Sequence, residues 1–266
     1  MTHEDPRATE QALPLEREDL FVMQVTDYSE ERLLVAEGCR ILALRGLVDD
    51  ILGHISLRVG EDSLLVRCRG REERGLKFTQ PDDIHLVRLD GSTELPDGYS
   101  APNELPLHLA TLRARPDVSA VVHAHPPAVV ALTLIGVPLL GVVGAYNIPA
   151  MRMALAGIPT FARSVLIRSD ALGSAMVDAL GDRPVCLLRG HGLTATGSSV
   201  ESAVINAINV DALARIQLQV LQAGVTPAAV APADLDDLPD LGPAFNEQHV
   251  WRFHLADLEH AGLGIR

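Results

Sequence analysis

Between Tyr28 and Gly224 the chain switches repeatedly between helical and strand-like spacing of its apolar residues, with turn residues at the switches. Ser29 stands as an N-cap before Glu30-Glu31-Arg32, the apolar positions Leu33, Leu34, Ala36, Ile41, Leu42 and Leu44 keep helical spacing, and Gly46 suits the helix end. Gly53 to Arg58 and Ser63 to Arg67 alternate with period two, which predicts a hairpin at the start of a sheet. Gly75 to Leu89 reads as a strand, a Gln-Pro-Asp turn and a second strand, closed by the turn at Asp90-Gly91. A helix over Leu105 to Arg113 follows, then a Pro-Asp turn and a short β-branched run, Val118 to Val122, with the character of a buried strand.

Pro126 to Tyr146 is apolar throughout, but Pro126, Pro127, Gly136, Pro138, Gly141 and Gly144 interrupt it too often for a membrane-spanning helix. A buried helix, a turn and a further segment are expected there. Ile158 to Phe161 predicts a strand, Ser169 to Leu180 a capped helix, Val185 to Leu188 a buried strand, and Ser198 or Ser199 caps a long helix that reaches about Ala223. Residues 225–244, rich in Ala, Pro and Asp without periodicity, read as a linker, and helical spacing resumes in the C-terminal segment 245–266. Residues 1–19 are polar and acidic and are expected to form a flexible arm, which leaves one catalytic domain over 20–224 and no internal repeat.

The strand at Val118 runs into His123-Ala124-His125, and on a strand the two imidazoles share a face while Ala124 points away. With 10 histidines in 266 residues, composition alone supplies such a pair about 0.4 times per chain of this kind. Further ligands give the pair weight. Val185 to Leu188 leads into Arg189-Gly190-His191-Gly192, where flanking glycines allow a tight turn that aims an imidazole at a neighbouring strand, and Glu104 starts the preceding helix. Three imidazoles and a carboxylate suit one divalent ion, Zn²⁺ or Mn²⁺; the competing reading is a set of satisfied core histidines.

Charge and composition narrow the chemistry further. The net charge of −13 disfavours nucleic acid and anionic membrane surfaces as partners and favours a small-molecule substrate. Lys77 is the single lysine, on an expected strand edge, so a Schiff-base mechanism has one poor candidate and a metal electrophile is favoured. Cys39, Cys68 and Cys186 are scattered and, with no apolar signal core at the N-terminus, suit a reduced cytoplasmic protein.

Glu104 with His108 four residues on, R-A-R-P-D-V-S-A-V-V-H-A-H-P at 113–126, L-L-R-G-H-G-L-T-A-T-G-S-S-V-E-S-A at 187–203 and G-L-V-D-D-I-L-G-H-I-S-L-R at 46–58 together resemble the class II aldolase/adducin family. The resemblance implies a single three-layer α/β/α domain around a mixed, mostly antiparallel sheet, a divalent ion on His123, His125 and His191, and Glu104 as acid/base. It also implies a homo-oligomer, a tetramer, in which a C-terminal segment around His249 and Trp251 can reach a neighbouring subunit.

Two positions depart from the family's sugar-phosphate aldolases. His54 replaces the asparagine of a G-N-x-S turn that grips phosphate, and Pro102-Asn103 replaces a Ser-Ser pair before the glutamate. The G-H-I-S turn resembles that of family members that decarboxylate hydroxy-aromatic or muconate-type acids. The resemblance therefore implies a decarboxylase of a small non-phosphorylated ortho-hydroxy or conjugated acid, of the dihydroxyphthalate or hydroxy-muconate semialdehyde type. Glu104, supported by His54, would manage the proton, with Ser56, Arg58, Asn103 and Tyr146 as substrate contacts. An aldolase or epimerase for a hydroxy-ketone or sugar phosphate is the alternative; a non-catalytic adducin-like module fits poorly because the chain keeps all three histidines. His108, on the face of Glu104, is expected either to join the site's hydrogen bonds or only to pack.

Overall fold

The structure is a computed structural model that describes residues 27–265, so the arm expected over 1–19 lies outside the described residues. Its frame is a sheet of seven strands in the order β3-β2-β1-β4-β7-β6-β5. These strands are β1 (His54–Val59), β2 (Ser63–Arg67), β3 (Ile84–Arg88), β4 (Ala120–Ala124), β5 (Thr160–Phe161), β6 (Val185–Leu188) and β7 (Gly192–Gly197). All neighbours pair antiparallel except β5 with β6, which makes the sheet mixed.

Alternation along the strands sorts side chains between two helical layers. Ile55, Leu57 and Val59 of β1, Ala120, Val122 and Ala124 of β4, and Leu193 and Ala195 of β7 pack under α1 (Ser29–Leu44), α3 (Pro127–Ile135), α4 (Ile148–Ala156) and α6 (Val200–Gln222). Leu64, Val66, Val121, Cys186 and Leu188 face the other way, onto α2 (Leu105–Ala114) and α5 (Asp170–Leu180). The result is the expected three-layer α/β/α domain, in which burying each of the central valines and leucines contributes about 1.5–3 kcal/mol. His54, Ser56, His123 and Thr194 have the parity of the α2 side, so adjacent strands place a polar stripe beneath that helix.

Several elements differ from the sequence expectation. Residues 76–78 form a 3₁₀ turn rather than a strand, because Gly75 takes φ +83° directly against the Asp50 carbonyl and the chain folds back there. Strand β5 is only two residues long. Strand β7 carries so little apolar bulk (G-L-T-A-T-G) that its spacing gave no strand signal, yet it lies buried in the middle of the sheet. The segment read as a linker is tied down: the Val230 amide donates to the Gly141 carbonyl at 2.8 Å, Arg152 donates to the Leu238 carbonyl at 2.8 Å, and Pro232–Asp237 is a 3₁₀ turn. Beyond it α7 (Val250–His260) packs Trp251 and Leu258 into the α1/α6 core.

Candidate metal centre and active site

His123 occupies the next-to-last position of β4 and is completely buried. Its Nδ1 lies 3.0 Å from the Leu193 carbonyl oxygen. A carbonyl only accepts, so Nδ1 carries the proton and Nε2 presents a lone pair, the tautomer a metal-binding imidazole needs. His125 follows the strand end, held by its backbone amide donating to the Leu47 carbonyl at 2.9 Å, with its Nε2 2.8 Å from that of His123. Burial, then the neighbouring His123 and His191 imidazoles, push the His125 imidazole down to about 3, so it is neutral at ordinary pH.

His191 sits in the β6–β7 turn, and both neighbouring glycines are needed there. Gly190 has φ +60°, and a Cβ on Gly192 would lie 2.1 Å from the Ala124 carbonyl oxygen. The turn presses His191 against the end of β4, where its ring centroid is 4.8 Å from those of His123 and His125. Neither of its buried ring nitrogens has a hydrogen-bond partner among the described residues.

Glu104 completes the group. It occupies the N-cap position of α2, but its side chain makes no capping bond. Instead Oε1 accepts from the Ile167 amide at 2.7 Å, while Oε2 lies 3.1 Å from His123 Nε2 and 3.4 Å from His191 Nε2. Burial alone would raise its pKa, but the His123 and His191 imidazoles beside it outweigh that and hold the carboxyl well below the usual range.

One ligand atom from each of Glu104, His123, His125 and His191 falls within 4.8 Å of all the others. A lone pair fixed by the Leu193 carbonyl, a carboxylate oxygen and one ring nitrogen each from His125 and His191 thus converge on one spot. Acceptors gathered this way need positive charge between them, and three imidazole nitrogens with a carboxylate beside them form a set suited to a divalent ion. The residues fit a metal.

His54 lies beside this group, paired with His123 across the β1–β4 ladder, with ring centroids 5.0 Å apart. Its Nδ1 is 2.7 Å from His108 Nε2, and His108 Nδ1 is 2.6 Å from Ser56 Oγ. Burial first, then neighbouring imidazoles, lowers both rings, His108 to about 3, and so keeps both neutral. His108 therefore joins the site's hydrogen bonds, which the i, i+4 relation to Glu104 had left open.

The remaining expectations fare differently. Ser56 is fully buried and its hydroxyl is engaged by His108, so it stands behind His54 rather than at a substrate. Arg58 is corrected: its guanidinium donates to the Leu112 and Val118 carbonyls, joining the end of α2 to the entry of β4, and is not free to clamp a carboxylate. Asn103 is exposed next to Glu104. Tyr146 is 72% exposed and lines a separate groove with Arg45, Asn147 and Phe245, none of them members of the histidine cluster. The Ile167 amide and Leu193 carbonyl, which orient Glu104 and His123, escaped the sequence reading because backbone groups carry no residue-type signal.

Comparison with known proteins extends these observations. The family described as Class II Aldolase and Adducin N-terminal domain matches residues 34–218. A 3,4-dihydroxyphthalate decarboxylase from Arthrobacter keyseri is 56% identical over 234 residues, covering 86% of this chain and 94% of that protein. The protein of the same name from Rhodococcus jostii (strain RHA1) is 49% identical over 238 residues, 88% of this chain and 98% of its own. The L-fuculose phosphate aldolase of Escherichia coli (strain K12) is 28% identical over 193 residues, 70% of this chain and 82% of its own. Among solved structures, an aldolase II superfamily protein from Pseudomonas syringae superposes with a TM-score of 0.75 at 23% identity, covering 90% of this chain and 95% of that one.

Proposed function

Because the chain belongs to the class II aldolase/adducin family, we propose that it is a metal-dependent carbon–carbon lyase that removes CO₂ from an ortho-hydroxy aromatic dicarboxylate, 3,4-dihydroxyphthalate. The observation that carries this reading is the convergence of Glu104, His123, His125 and His191 beside an imidazole, His54, in a chain 49–56% identical to decarboxylases of that acid. A single divalent ion, Zn²⁺ or Mn²⁺, would be held by the three histidines and would supply a Lewis acid for an oxygen that gains charge.

The chain's own residues account for the proton. Glu104 is ionised, one of its oxygens is fixed by the Ile167 amide, and the other, Oε2, faces the histidine cluster and is the one that carries a proton. It takes the proton of the hydroxyl ortho to the departing carboxylate and returns it to the ring carbon that bears that carboxylate. The ring is then a β-keto acid. Its carbon–carboxylate bond breaks, CO₂ leaves, and the electron pair restores the aromatic ring with the charge on the ortho oxygen. The burial of His54, His108 and His123 keeps bulk water from this exchange.

Asn103 is the one expected substrate contact that remains at the edge of the site, adjoining Glu104. We keep 20–224 as the catalytic domain with 225–244 and 245–266 as its C-terminal extension, in a cytoplasmic homo-oligomer, a tetramer by family resemblance. No helix among the described residues is long and apolar enough to cross a membrane.

The test is a metal-supplemented incubation with 3,4-dihydroxyphthalate and, separately, with fuculose 1-phosphate, read by mass spectrometry. CO₂ and a dihydroxybenzoate from the first and no aldehyde from the second are expected. Aldehyde release from the sugar phosphate alone would replace this reading with the aldolase one.

A further inference from the structure

The hydrogen-bonded series Ser56–His108–His54 ends in a fully buried serine, and that end gives the series a direction. Ser56 Oγ lies 2.6 Å from His108 Nδ1 and makes no other hydrogen bond among the described residues. A buried hydroxyl whose proton points at nothing loses a hydrogen bond worth about 1 kcal/mol or more, so its O–H donates to His108 Nδ1. A neutral imidazole that accepts at Nδ1 is protonated at Nε2. His108 Nε2–H therefore donates to His54 Nδ1 across 2.7 Å. His54, accepting at Nδ1, must then carry its own proton on Nε2, which has no hydrogen-bond partner among the described residues.

We propose that His108 is a positioning residue that holds His54 in this one tautomer, with Nε2–H a fixed hydrogen-bond donor for a substrate oxygen. The direction of the series also excludes another use of it. To pass a proton outward from His54, the series would have to draw one from the Ser56 hydroxyl and leave a buried alkoxide, and among the described residues no donor other than His108 lies on Ser56 Oγ to stabilise that charge. His54 thus orients and stabilises an oxygen, and Glu104 alone moves the proton. The identity of that oxygen, the one ortho to the leaving carboxylate, rests on the function proposed above; the tautomer does not.

The fold supplies the rigidity a fixed donor requires. His54 and Ser56 are two residues apart on β1, on the face turned toward α2, and His108 is fully buried on α2 above them. All three groups therefore belong to regular elements, and the geometry does not depend on a loop.

The experiment is magic-angle-spinning NMR of zinc-loaded protein labelled with [¹⁵N]histidine, the His54 signals being identified by their absence in His54→Gln. Without substrate, His54 Nδ1 is expected to show the shift of a bare ring nitrogen and Nε2 that of a protonated one. The reverse pattern would overturn the proposal. His108→Leu is expected to mix the two His54 tautomers and to lower kcat/KM about 10- to 100-fold with metal content unchanged. His108→Gln, whose amide can accept from Ser56 and donate to His54, is expected to restore both the spectrum and most of the turnover. A leucine variant with the wild-type His54 spectrum would contradict the assignment. Should the leucine variant not fold, Ser56→Ala makes the same test, because losing the terminal donor is expected to mix the tautomers; an unchanged spectrum there would equally overturn the proposal. Because the spectrum is recorded without substrate, a wrong substrate assignment appears separately, as a wild-type protein with the expected tautomer and no CO₂ release.

Discussion

Glu104 stands at the N-cap of α2, yet its carboxylate turns away from the helix to the Ile167 amide and the histidine cluster. The helix forgoes a side-chain cap, normally worth about 1 kcal/mol, and in exchange the carboxylate gains a fixed orientation. Glu104→Gln keeps an acceptor for the Ile167 amide and leaves the three imidazoles in place, but removes the proton carrier. It is expected to lower kcat about 10²- to 10⁴-fold while metal content, measured by plasma mass spectrometry, stays at the wild-type level. At this scale much was legible in the sequence: His123, His125, His191 and Glu104 stand together as their spacing and the family resemblance implied. Arg58 was not legible, because a guanidinium on a strand has the same letter whether it binds a carboxylate or backbone carbonyls. Here the open ends of Leu112 and Val118 lie within its reach.

At the scale of elements, the site depends on a hairpin whose second strand has almost no hydrophobic pattern. Gly192 starts β7 with its Cα packed so closely on β4 that an added methyl would meet the Ala124 carbonyl oxygen at 2.1 Å and His125 Cα at 2.9 Å. Glycine stands at both ends of β7 because the neighbouring chain leaves no room for a side chain, and this same compactness hid β7 from its sequence. Gly192→Ala is expected to separate His191 from the β4 histidines, destabilising the fold by about 2–4 kcal/mol and weakening metal binding; denaturant unfolding and metal titration check both. The segment 225–244 misled in the opposite direction. Its Ala-Pro-Asp composition lacks any period, and it is held in place by individual bonds to Gly141 and Arg152, which leave no pattern to read.

Across the whole molecule, burial of neutral histidines makes stability depend on pH. His254 on α7 is 3% exposed, and burial, then the charge of Arg45, pushes its imidazole down from 6.5 to about 4. A base whose pKa is lower folded than unfolded binds more protons unfolded, so its contribution is complete above about 6.5 and is lost as pH falls toward about 4. Thermal unfolding midpoints are therefore expected to drop through that interval, and His254→Gln is expected to make the drop shallower. The layered architecture itself was readable, because alternation on β2, β4 and β6 sorts apolar residues to both faces of the sheet, while the resemblance supplied the mixed sheet and its order of layers.

The most direct measurement is a titration of chelator-stripped protein with Mn²⁺ or Zn²⁺ while CO₂ release from 3,4-dihydroxyphthalate is followed. Turnover should be absent at the start, rise with added metal and level off near one equivalent per chain, as a single ion on His123, His125 and His191 requires. Full CO₂ release from the stripped protein, or a histidine-triple-alanine variant that folds and behaves like the wild type, would contradict the account.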